Sequence, residues 1–449
     1  MNLVFPILPG LLPSVNCCIF VEKALIIELN VVPLNQIIDT HSDMIDPISN
    51  PSTVLQTAVE TQVQFQKKKL HSHTLRMGIP KEITFQENRV PLTPSAVGYL
   101  VGLGHEIIIQ SGCGLNANFS DHAYSENGAI VTDDVREVYL SDVVLKIDPP
   151  TLEELGFMKP GQLLISALQI NQLDGVLLKQ LLDKKIHAMA YEFIEDESGA
   201  LPLIRSMSEI AGTASIMIAA EYLNNTHIGK GELLGGFAGV PPTQVVILGA
   251  GAVGEFATKA ATGLGANVKI FDNDVYRLRR LQKSFGHHLY TSTIQPQALQ
   301  SAVQRADVLI GAYSGKHHRS PVVVTKEMIA SMKPNSVVID IAIDRGGNFE
   351  TSQLTSHENP VFKKYDVIHY CVPNIPSRVS RTASYALSNI FTPMLEEIVT
   401  QGGFAEALKI NKGLRRGTYM YKGSLTNKQL AQKFGLPFKD LDLMVGIFN

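Results

Sequence analysis

The sequence has little of what several classes of protein require. Its 39 basic and 42 acidic residues give a formal net charge of −3, so it lacks the basic excess of a nucleic-acid-binding protein. The 4 cysteines show no metal-ligand spacing, which indicates free thiols in a reducing compartment. No Ser/His/Asp or Cys/His nucleophile arrangement stands out, and the adjacent pair His317 and His318 has a poor geometry for a metal. We therefore expect no metal site and no nucleic-acid partner.

The N-terminal stretch lacks the features of a signal peptide and of a membrane span. Residues 1–35 are apolar, but the first basic side chain is Lys23, so the basic start of a signal peptide is missing. Prolines also interrupt this run, which is too broken for a spanning helix, although a membrane anchor stays open as an alternative. Residues 36–76 are polar and irregular. We predict that residues 1–76 form a poorly structured appendage and that the protein is cytoplasmic, with no membrane partner.

The most informative stretch lies between Gln244 and Asp272. A short apolar strand precedes three glycines at the spacing G-x-G-x-x-G, a helix follows over residues 252–263, and a second apolar strand ends at Asp272. The glycines are Gly249, Gly251 and Gly254. This combination is typical of a unit that binds a dinucleotide, whereas the glycines alone would also fit a turn in another α/β protein.

Each part of this unit has a physical task in binding a dinucleotide. Gly249 permits the tight turn from strand to helix, Gly251 lets the backbone approach the pyrophosphate, and Gly254 lets the helix pack closely on the strand. The helix N-terminus directs free N–H groups and partial positive charge at the phosphates. Asp272 can accept hydrogen bonds from the adenosine ribose and would repel a 2′-phosphate, so we expect NAD rather than NADP.

Strand and helix patterns alternate along the chain on both sides of the glycine motif. Such alternation predicts an α/β fold with parallel sheets and helices on both faces. Thr93 and Pro94 mark the start of one helix, as its N-cap and first helical residue. Two long helices are also predicted; one starts at a capping box of Ser206 and Glu209, and the other spans residues 380–400. We therefore predict two doubly wound, Rossmann-like domains, linked by long helices and separated by a cleft.

The predicted domain boundaries follow from these elements. Residues 77–205 and 381–449 are assigned to a substrate-binding, catalytic domain, and residues 206–380 to an NAD-binding Rossmann domain. A segment rich in glycine and proline at 229–242 precedes the glycine motif, and its composition suits a mobile or ligand-covering loop.

Four polar side chains stand out, and three of them also have an ordinary structural explanation. Arg89 precedes a helix and can hold a carboxylate through two hydrogen bonds, but surface arginines are common. Lys146 interrupts an apolar strand near its end; it either extends to solvent or lies in a cleft, where burial would lower its pKa and suit it to a carbonyl or imine. Asp344 follows an apolar strand and precedes two glycines. Asn374 lies between two prolines and either binds the nicotinamide or its ribose, or forms a turn.

Residues 77–449 resemble the alanine dehydrogenase family, which shares its fold with the NAD-binding subunit of proton-translocating transhydrogenase. The matching stretches are GIPKEITFQENRVPLTP, VVLKIDPP, SMSEIAG, VVILGAGAVGEFA, VVIDIAIDRGG and YCVPNIPSRVSRTASYALSN. They are spread over nearly the whole chain outside the appendage. The resemblance implies reversible oxidative deamination of L-alanine to pyruvate and ammonium with NAD, carried out by a homohexamer.

The resemblance also implies a role for each matching residue. Arg89 is expected to bind the substrate carboxylate, Lys146 its carbonyl or amine side, and Met207 to border the substrate. Asp344 would lie beside the nicotinamide and assist proton handling, so Lys146 and Asp344 are the catalytic candidates. The expected cofactor-binding residues are Ser208, Gly249, Gly251, Gly254, Asp272, Arg277 and Asn374.

Gln169 departs from the family pattern. Family members carry a catalytic histidine in a segment similar to Y-L-H-L, and here Gln169 takes that place in the substrate site. Glutamine forms hydrogen bonds but cannot shuttle a proton near neutral pH, and loss of a general acid–base costs about 10²–10⁴-fold in rate. Three outcomes stay open: Asp344, Lys146 or water takes over; the reaction is a related imine-forming one of opine or saccharopine type; or the protein binds NAD with little alanine turnover.

Overall fold

The structure is a computed structural model, and it describes residues 74–170, 173–225, 228–286, 288–315 and 320–447. Most of the predicted appendage and the pair His317 and His318 lie outside these residues. The described residues belong to one compact unit, Lys67–Asn449. Among them, no helix combines the length and the apolar character needed to cross a membrane.

The described strands form two sheets. The strands before the glycine motif are β1 (Arg76–Ile79), β2 (Glu106–Gln110), β3 (Ile130–Thr132), β4 (Val143–Leu145), β5 (Leu163–Ser166) and β6 (His187–Ala190). The strands that follow are β7 (Gln244–Leu248), β8 (Asn267–Phe271), β9 (Tyr290–Ser292), β10 (Val308–Gly311), β11 (Val337–Asp340), β12 (Val361–Lys364) and β13 (Val367–Tyr370). The last two are β14 (Thr418–Tyr421) and β15 (Ser424–Leu425).

Helices connect most of these strands. Those before the glycine motif are α1 (Pro94–Gly102), α2 (Asp121–Glu126), α3 (Val135–Tyr139), α4 (Leu152–Phe157), α5 (Gly175–Asp183) and α6 (Pro202–Leu223). Those of the next part are α7 (Ala252–Gly263), α8 (Val275–Ser284), α9 (Pro296–Arg305), α10 (Lys326–Ala330) and α11 (Ile375–Arg378). The C-terminal helices are α12 (Ser380–Thr400), α13 (Phe404–Ile410), α14 (Lys412–Gly417), α15 (Lys428–Phe434) and α16 (Leu441–Met444). Short 3₁₀ turns lie at Leu115–Ala117, Tyr191–Phe193 and Ile343–Arg345.

Both sheets are doubly wound. The first has the order β3-β2-β1-β4-β5-β6-β14-β15, and only the last two strands are antiparallel to their neighbours. The second has the order β9-β8-β7-β10-β11-β13-β12, and only the edge strand β12 is antiparallel. In each sheet the direction of winding reverses once, between β1 and β4 and between β7 and β10. The predicted α/β class with two Rossmann-like sheets is therefore confirmed.

The two long helices link the sheets, as predicted. Helix α6 leads from the first sheet into the second, and α12 leads back before β14. Side chains of α12 at helical spacing, Leu387, Phe391 and Leu395, are fully buried in the same cluster as β1 and β4. Burial of each contributes about 1.5–3 kcal/mol. Helix α6 packs closely on α7, because a Cβ on Gly212 would lie 2.3 Å from the Val253 carbonyl oxygen.

The helix boundaries agree with the prediction at α1, α7 and α12 and disagree at α6. Thr93 is the N-cap of α1, where its hydroxyl accepts a hydrogen bond from the Ala96 N–H. The predicted capping box at the start of α6 is wrong, because this helix already begins at Pro202. Proline at the first helical position needs no N–H partner. Within the helix, Glu209 instead pairs with Arg205 at 2.9 Å, one turn away.

Candidate active site

The loops after β1 and β4 carry Arg89 and Lys146 to the point where the first sheet reverses its winding. Ligands of doubly wound sheets bind beyond the carboxyl ends of the strands at this point. In the second sheet the corresponding point lies between β7 and β10, and Gly249 follows β7 there. The structure therefore places the predicted substrate residues and the glycine turn each at the ligand-binding end of its own sheet.

Lys146 is buried between two carboxylates. Its side chain is 1 % exposed, and its Nζ lies 2.8 Å from Glu154 Oε1 and 3.3 Å from Glu82 Oε2. Burial acts to lower the pKa of Lys146, but Glu82 and Glu154 raise it by more, so the pKa lies above its ordinary value. The expected net lowering of this pKa is wrong, because the two acids outweigh burial and keep Lys146 protonated. A protonated Lys146 can donate hydrogen bonds to a substrate carbonyl.

The two acids differ in how fully they are bonded. Glu154 lies in the first turn of α4, where it forms a capping box with Thr151, and its Oε1 also accepts the Tyr139 hydroxyl at 2.7 Å. Glu82 accepts the Ile147 N–H at 2.6 Å through Oε1, whereas its buried Oε2 has no hydrogen-bond partner. Burial raises the pKa of Glu82 to about 7, against the lowering effect of Lys146. Glu154 is therefore fixed by its hydrogen bonds, whereas Glu82 has one carboxylate oxygen that can accept a proton.

Arg89 is oriented by Glu87. Its Nε donates to Glu87 Oε1 at 2.7 Å, its second terminal nitrogen donates to Oε2, and its backbone N–H also binds Oε1. Its remaining terminal nitrogen, NH1, faces the Met207 sulfur at 3.5 Å. Because Glu87 takes the Nε edge of the guanidinium, the edge beside Met207 is the one that can receive a substrate carboxylate.

Asn374 joins the second sheet to this cluster. It lies between β13 and α11, in a left-handed conformation with φ 56°, and its Nδ2 donates to Glu87 Oε2 at 2.9 Å. The neighbouring Ser377 hydroxyl binds the backbone of the same loop, at the Gln86 carbonyl. The structure therefore brings Arg89 and Asn374 together on one carboxylate, with Met207 against Arg89.

Gln169 contacts Asp148 beside this cluster. Its Nε2 donates to Asp148 Oδ1 at 2.8 Å, and its backbone has a φ of 47°, in the left-handed region. The half-buried Glu192 fixes the turn by accepting the backbone N–H groups of Leu168 and Gln169. Burial and the charge of Glu87 raise the pKa of Asp148, with Arg89 and Lys146 opposing them. The amide of Gln169 is thus a fixed hydrogen-bonding group at the edge of the cluster.

The glycine turn has the shape that a dinucleotide needs. Gly249 has φ 102°, and a Cβ there would lie 2.4 Å from the Ala312 carbonyl oxygen. A Cβ on Gly254 would lie 1.9 Å from the Gly249 carbonyl oxygen, so this glycine is needed for packing of α7 on the turn. By contrast, a Cβ on Gly251 would meet no atom within 4 Å. Gly251 therefore leaves open space at the N-terminus of α7, a position that suits an anionic group such as a phosphate.

Asp272 supports the glycine turn from the end of β8. Its side chain is buried, with Oδ2 accepting the Ala250 N–H at 2.7 Å and Oδ1 accepting the Asp274 N–H at 2.8 Å. Arg277 is exposed on α8 and pairs with Asp274 at 3.5 Å. Contact of Asp272 and Arg277 with the ribose stays a prediction, and the structure adds that Asp272 holds the backbone of the turn.

Asp344 and Ser208 lie outside the buried cluster. Asp344 follows β11 in a 3₁₀ turn, is 47 % exposed and lies 3.7 Å from Arg345. Its partial burial raises the pKa of Asp344, and Arg345 opposes this. Asp340, at the end of β11, is instead structural, because it accepts the N–H groups of Ala342 and Asn348. Ser208 is half-buried on α6, next to Met207.

No group of three or more His, Cys, Asp or Glu side chains among the described residues is arranged to hold a metal ion.

Two family models match the chain. The alanine dehydrogenase/PNT N-terminal domain matches residues 78–211, and the alanine dehydrogenase/PNT C-terminal domain matches residues 215–428.

The chain belongs to the alanine dehydrogenase/PNT family.

Curated relatives and solved structures agree with this membership. The chain is 40% identical to the alanine dehydrogenase of Methanococcus maripaludis, over 81% of this chain and 97% of the relative. It is 38% identical to the alanine dehydrogenase of Staphylococcus epidermidis, over 82% of this chain and 99% of the relative. A solved L-alanine dehydrogenase superposes with a TM-score of 0.75 at 37% identity, over 80% of this chain and 99% of that one. A transhydrogenase from Sinorhizobium meliloti shares the fold, with a TM-score of 0.68 at 23% identity.

The buried acids Glu82, Glu87 and Asp148 were not among the residues predicted from the sequence. Each lies just beyond a parallel strand at the reversal point, Glu82 and Glu87 after β1 and Asp148 after β4. That position is a usable signal, because strand-end loops line the ligand site in doubly wound sheets. These acids lie around Arg89 and Lys146, so their negative charges offset the positive charges of the two candidate residues.

Proposed function

We propose that the protein is an NAD-dependent alanine dehydrogenase that catalyses the reversible oxidative deamination of L-alanine to pyruvate and ammonium. The observation that carries this proposal is the 38–40% identity to proteins named alanine dehydrogenase over 97–99% of their length. The buried cations at the reversal point of the first sheet support it, because the substrate and the product both carry a carboxylate.

The cofactor proposal rests on the glycine turn. Gly249, Gly251 and Gly254 would hold the pyrophosphate at the N-terminus of α7, with Asp272, Arg277, Ser208 and Asn374 as the other cofactor-binding residues. A carboxylate at the end of β8 favours NAD over NADP, because it repels a 2′-phosphate. When bound, NAD accepts a hydride from the substrate or, as NADH, donates one.

The substrate proposal assigns a task to each cluster residue. Arg89 binds the carboxylate along the edge that Glu87 leaves open, and Met207 borders the methyl side. Lys146 donates a hydrogen bond to the substrate carbonyl oxygen, which stabilises negative charge there. Gln169 contributes a hydrogen bond but no proton transfer. Asp344 assists proton handling from outside the buried cluster, where its side chain is partly exposed.

The assembly and location belong to the same proposal. We place substrate binding in residues 77–205 and 381–449 and NAD binding in 206–380, with the reaction in the cleft between them. A cytoplasmic homohexamer acting on free L-alanine, without a membrane or nucleic-acid partner, fits the family. The similarity favours this reaction over an opine- or saccharopine-type reaction and over NAD binding without turnover.

A substrate panel tests the proposal. The full-length protein is incubated with NAD or NADP and each of a set of L-amino acids, and the absorbance of the reduced cofactor is followed. The reverse reaction is measured with ammonium, NADH and a set of 2-oxo acids. We expect L-alanine and pyruvate, with NAD, to give the highest kcat/KM. Preference for another amino acid, or NAD binding without turnover in either direction, would refute the proposal.

A further inference from the structure

We propose that Glu82 exchanges protons with Lys146 during turnover and thereby supplies the acid–base function that Gln169 lacks. Glu82 acts through Lys146 and is therefore a positioning residue. The inference rests on the proposed function, because it concerns the proton that the amino group of alanine must lose.

The geometry makes Glu82 the better proton acceptor of the two acids at Lys146. Its Oε2 lies 3.3 Å from the lysine Nζ and has no hydrogen-bond partner, while Oε1 is fixed by the Ile147 N–H. Glu154 lacks such a free oxygen, since its Oε1 accepts Lys146 and Tyr139 and its Oε2 accepts the Thr151 N–H. A proton on Glu82 Oε2 displaces only the contact with Lys146 itself.

The groups around Glu82 allow it to titrate near neutral pH. Burial raises the pKa of Glu82 most, Lys146 lowers it, and the charges of Asp148 and Glu87 raise it again, giving a pKa of about 7. The other ionisable groups that face this pair are Glu154, Tyr139 and Cys113. A group of this pKa is protonated and deprotonated with little cost at physiological pH.

The proton transfer balances without a further reactant. An Nζ–H bond of Lys146 breaks as an Oε2–H bond of Glu82 forms. In the same step an N–H bond of the substrate ammonium breaks and the Nζ–H bond of Lys146 is restored, so Lys146 stays protonated. Glu82 finally gives its proton to solvent, which completes the cycle. The reductive direction uses the same steps in reverse.

Gln169 and Asp148 explain why another group is needed. The Gln169 amide cannot accept a proton near neutral pH and already donates to Asp148. Burial and Glu87 also raise the pKa of Asp148, but its Oδ1 accepts the Gln169 amide, and no hydrogen bond or ion pair joins it to Lys146 among the described residues. Of the acids in the cluster, Glu82 combines contact with Lys146 and a free oxygen.

The pH dependence of alanine oxidation tests the proposal. We compare kcat across pH for the full-length wild type, Glu82→Gln and the control Glu154→Gln, which removes the other carboxylate at Lys146. In the wild type, kcat is expected to fall as the pH drops below about 7, which gives the pH profile an acidic limb. Glu82→Gln is expected to lose this limb and about 10²-fold or more in kcat, with a smaller change in KM. Glu154→Gln is expected to keep the limb.

Two results overturn the proposal. An unchanged limb in Glu82→Gln would place the titrating group elsewhere, with Asp148 as the next candidate, and a change in KM alone would make Glu82 merely structural. If Glu82→Gln does not fold, Glu82→Asp serves as the test variant. Aspartate is intrinsically the stronger acid, so the acidic limb of kcat should move to lower pH. An unmoved limb in Glu82→Asp refutes the proposal. Absence of wild-type turnover would refute the proposed function itself, whereas wild-type turnover with an unmoved limb refutes this inference alone.

Discussion

Asn374 and Glu87 are joined by a hydrogen bond of 2.9 Å between Asn374 Nδ2 and Glu87 Oε2. Asn374 follows the last parallel strand of the second sheet, and Glu87 lies in the loop after β1 of the first. The same carboxylate binds the guanidinium of Arg89. One acid therefore orients a residue proposed for the substrate and a residue proposed for the cofactor.

Glu87→Gln is expected to weaken substrate binding and the fold together. The variant leaves the buried Arg89 without its charged partner, and breaking a buried ion pair costs about 3–5 kcal/mol. We expect a loss of stability of that order in denaturant titration and an increase of at least about tenfold in KM for alanine. Glu406→Gln is the control, because it removes an exposed pair with Lys409 that is worth no more than about 1 kcal/mol. Unchanged KM and stability in Glu87→Gln would show that Glu87 does not orient Arg89.

Gly251→Ala is expected to impair NAD binding without harming the fold. A Cβ at Gly251 meets no protein atom within 4 Å, so the added methyl enters only the space assigned to the pyrophosphate. We expect a Kd for NAD at least about tenfold higher, with an unchanged melting temperature. The matched control is Gly263→Ala in the same helix, where a Cβ also meets no atom within 4 Å and NAD affinity should stay the same. Equal NAD affinity in both variants would argue against this location for the pyrophosphate.

Gln169→His is expected to have its main effect when Glu82 is disabled. Histidine tolerates the left-handed backbone at this position better than most residues, and Asp148 lies within hydrogen-bond reach. In the wild-type background kcat should change less than about tenfold, because Glu82 already handles the proton. In Glu82→Gln, the added histidine should restore about tenfold or more. A large rise in the wild-type background instead would mean that the protein lacks an efficient proton path.

The stability of the protein should respond to pH through Glu82. Burial raises the pKa of Glu82 from 4.5 to about 7, so the folded state binds the proton more tightly than the unfolded state. Stability from this group is thus present at low pH and is lost as the pH rises from about 4.5 to about 7, by about 3 kcal/mol. Glu82→Gln should therefore gain about that much relative to wild type over this range in urea titrations, whereas Glu406→Gln should follow the wild type. A pH-independent difference between Glu82→Gln and wild type would contradict the shifted pKa.

The regular elements were predictable wherever a local signal defined them. Helix α7 agrees with its predicted bounds because the glycine turn before it and Gly263 near its end mark both limits. Helix α6 was placed too late, because the Ser206–Glu209 spacing resembles a capping box although Pro202 can already start the helix. Strand β14 was not predicted, since its pairing with β6 joins residues far apart in sequence.

The sequence allowed the positively charged residues of the candidate site to be predicted, but not the acids that pair with them. Arg89, Lys146 and Asn374 stand out as polar residues beside apolar strands. The acids that surround them are contributed by loops that meet only in the folded chain, such as Glu154 in α4 and Glu82 after β1. Their charges reverse the expected pKa shift of Lys146, which no local pattern could indicate.

The most direct test of the account is alanine oxidation by single variants of the two cations. Arg89→Met and Lys146→Met are compared with wild type and with Lys409→Met, which removes an exposed lysine of α13. We expect Arg89→Met to raise KM for alanine strongly, Lys146→Met to lower kcat by about 10²-fold or more, and Lys409→Met to leave both constants unchanged. NAD binding should persist in all of them. Wild-type rates of alanine oxidation in both Arg89→Met and Lys146→Met would contradict the account.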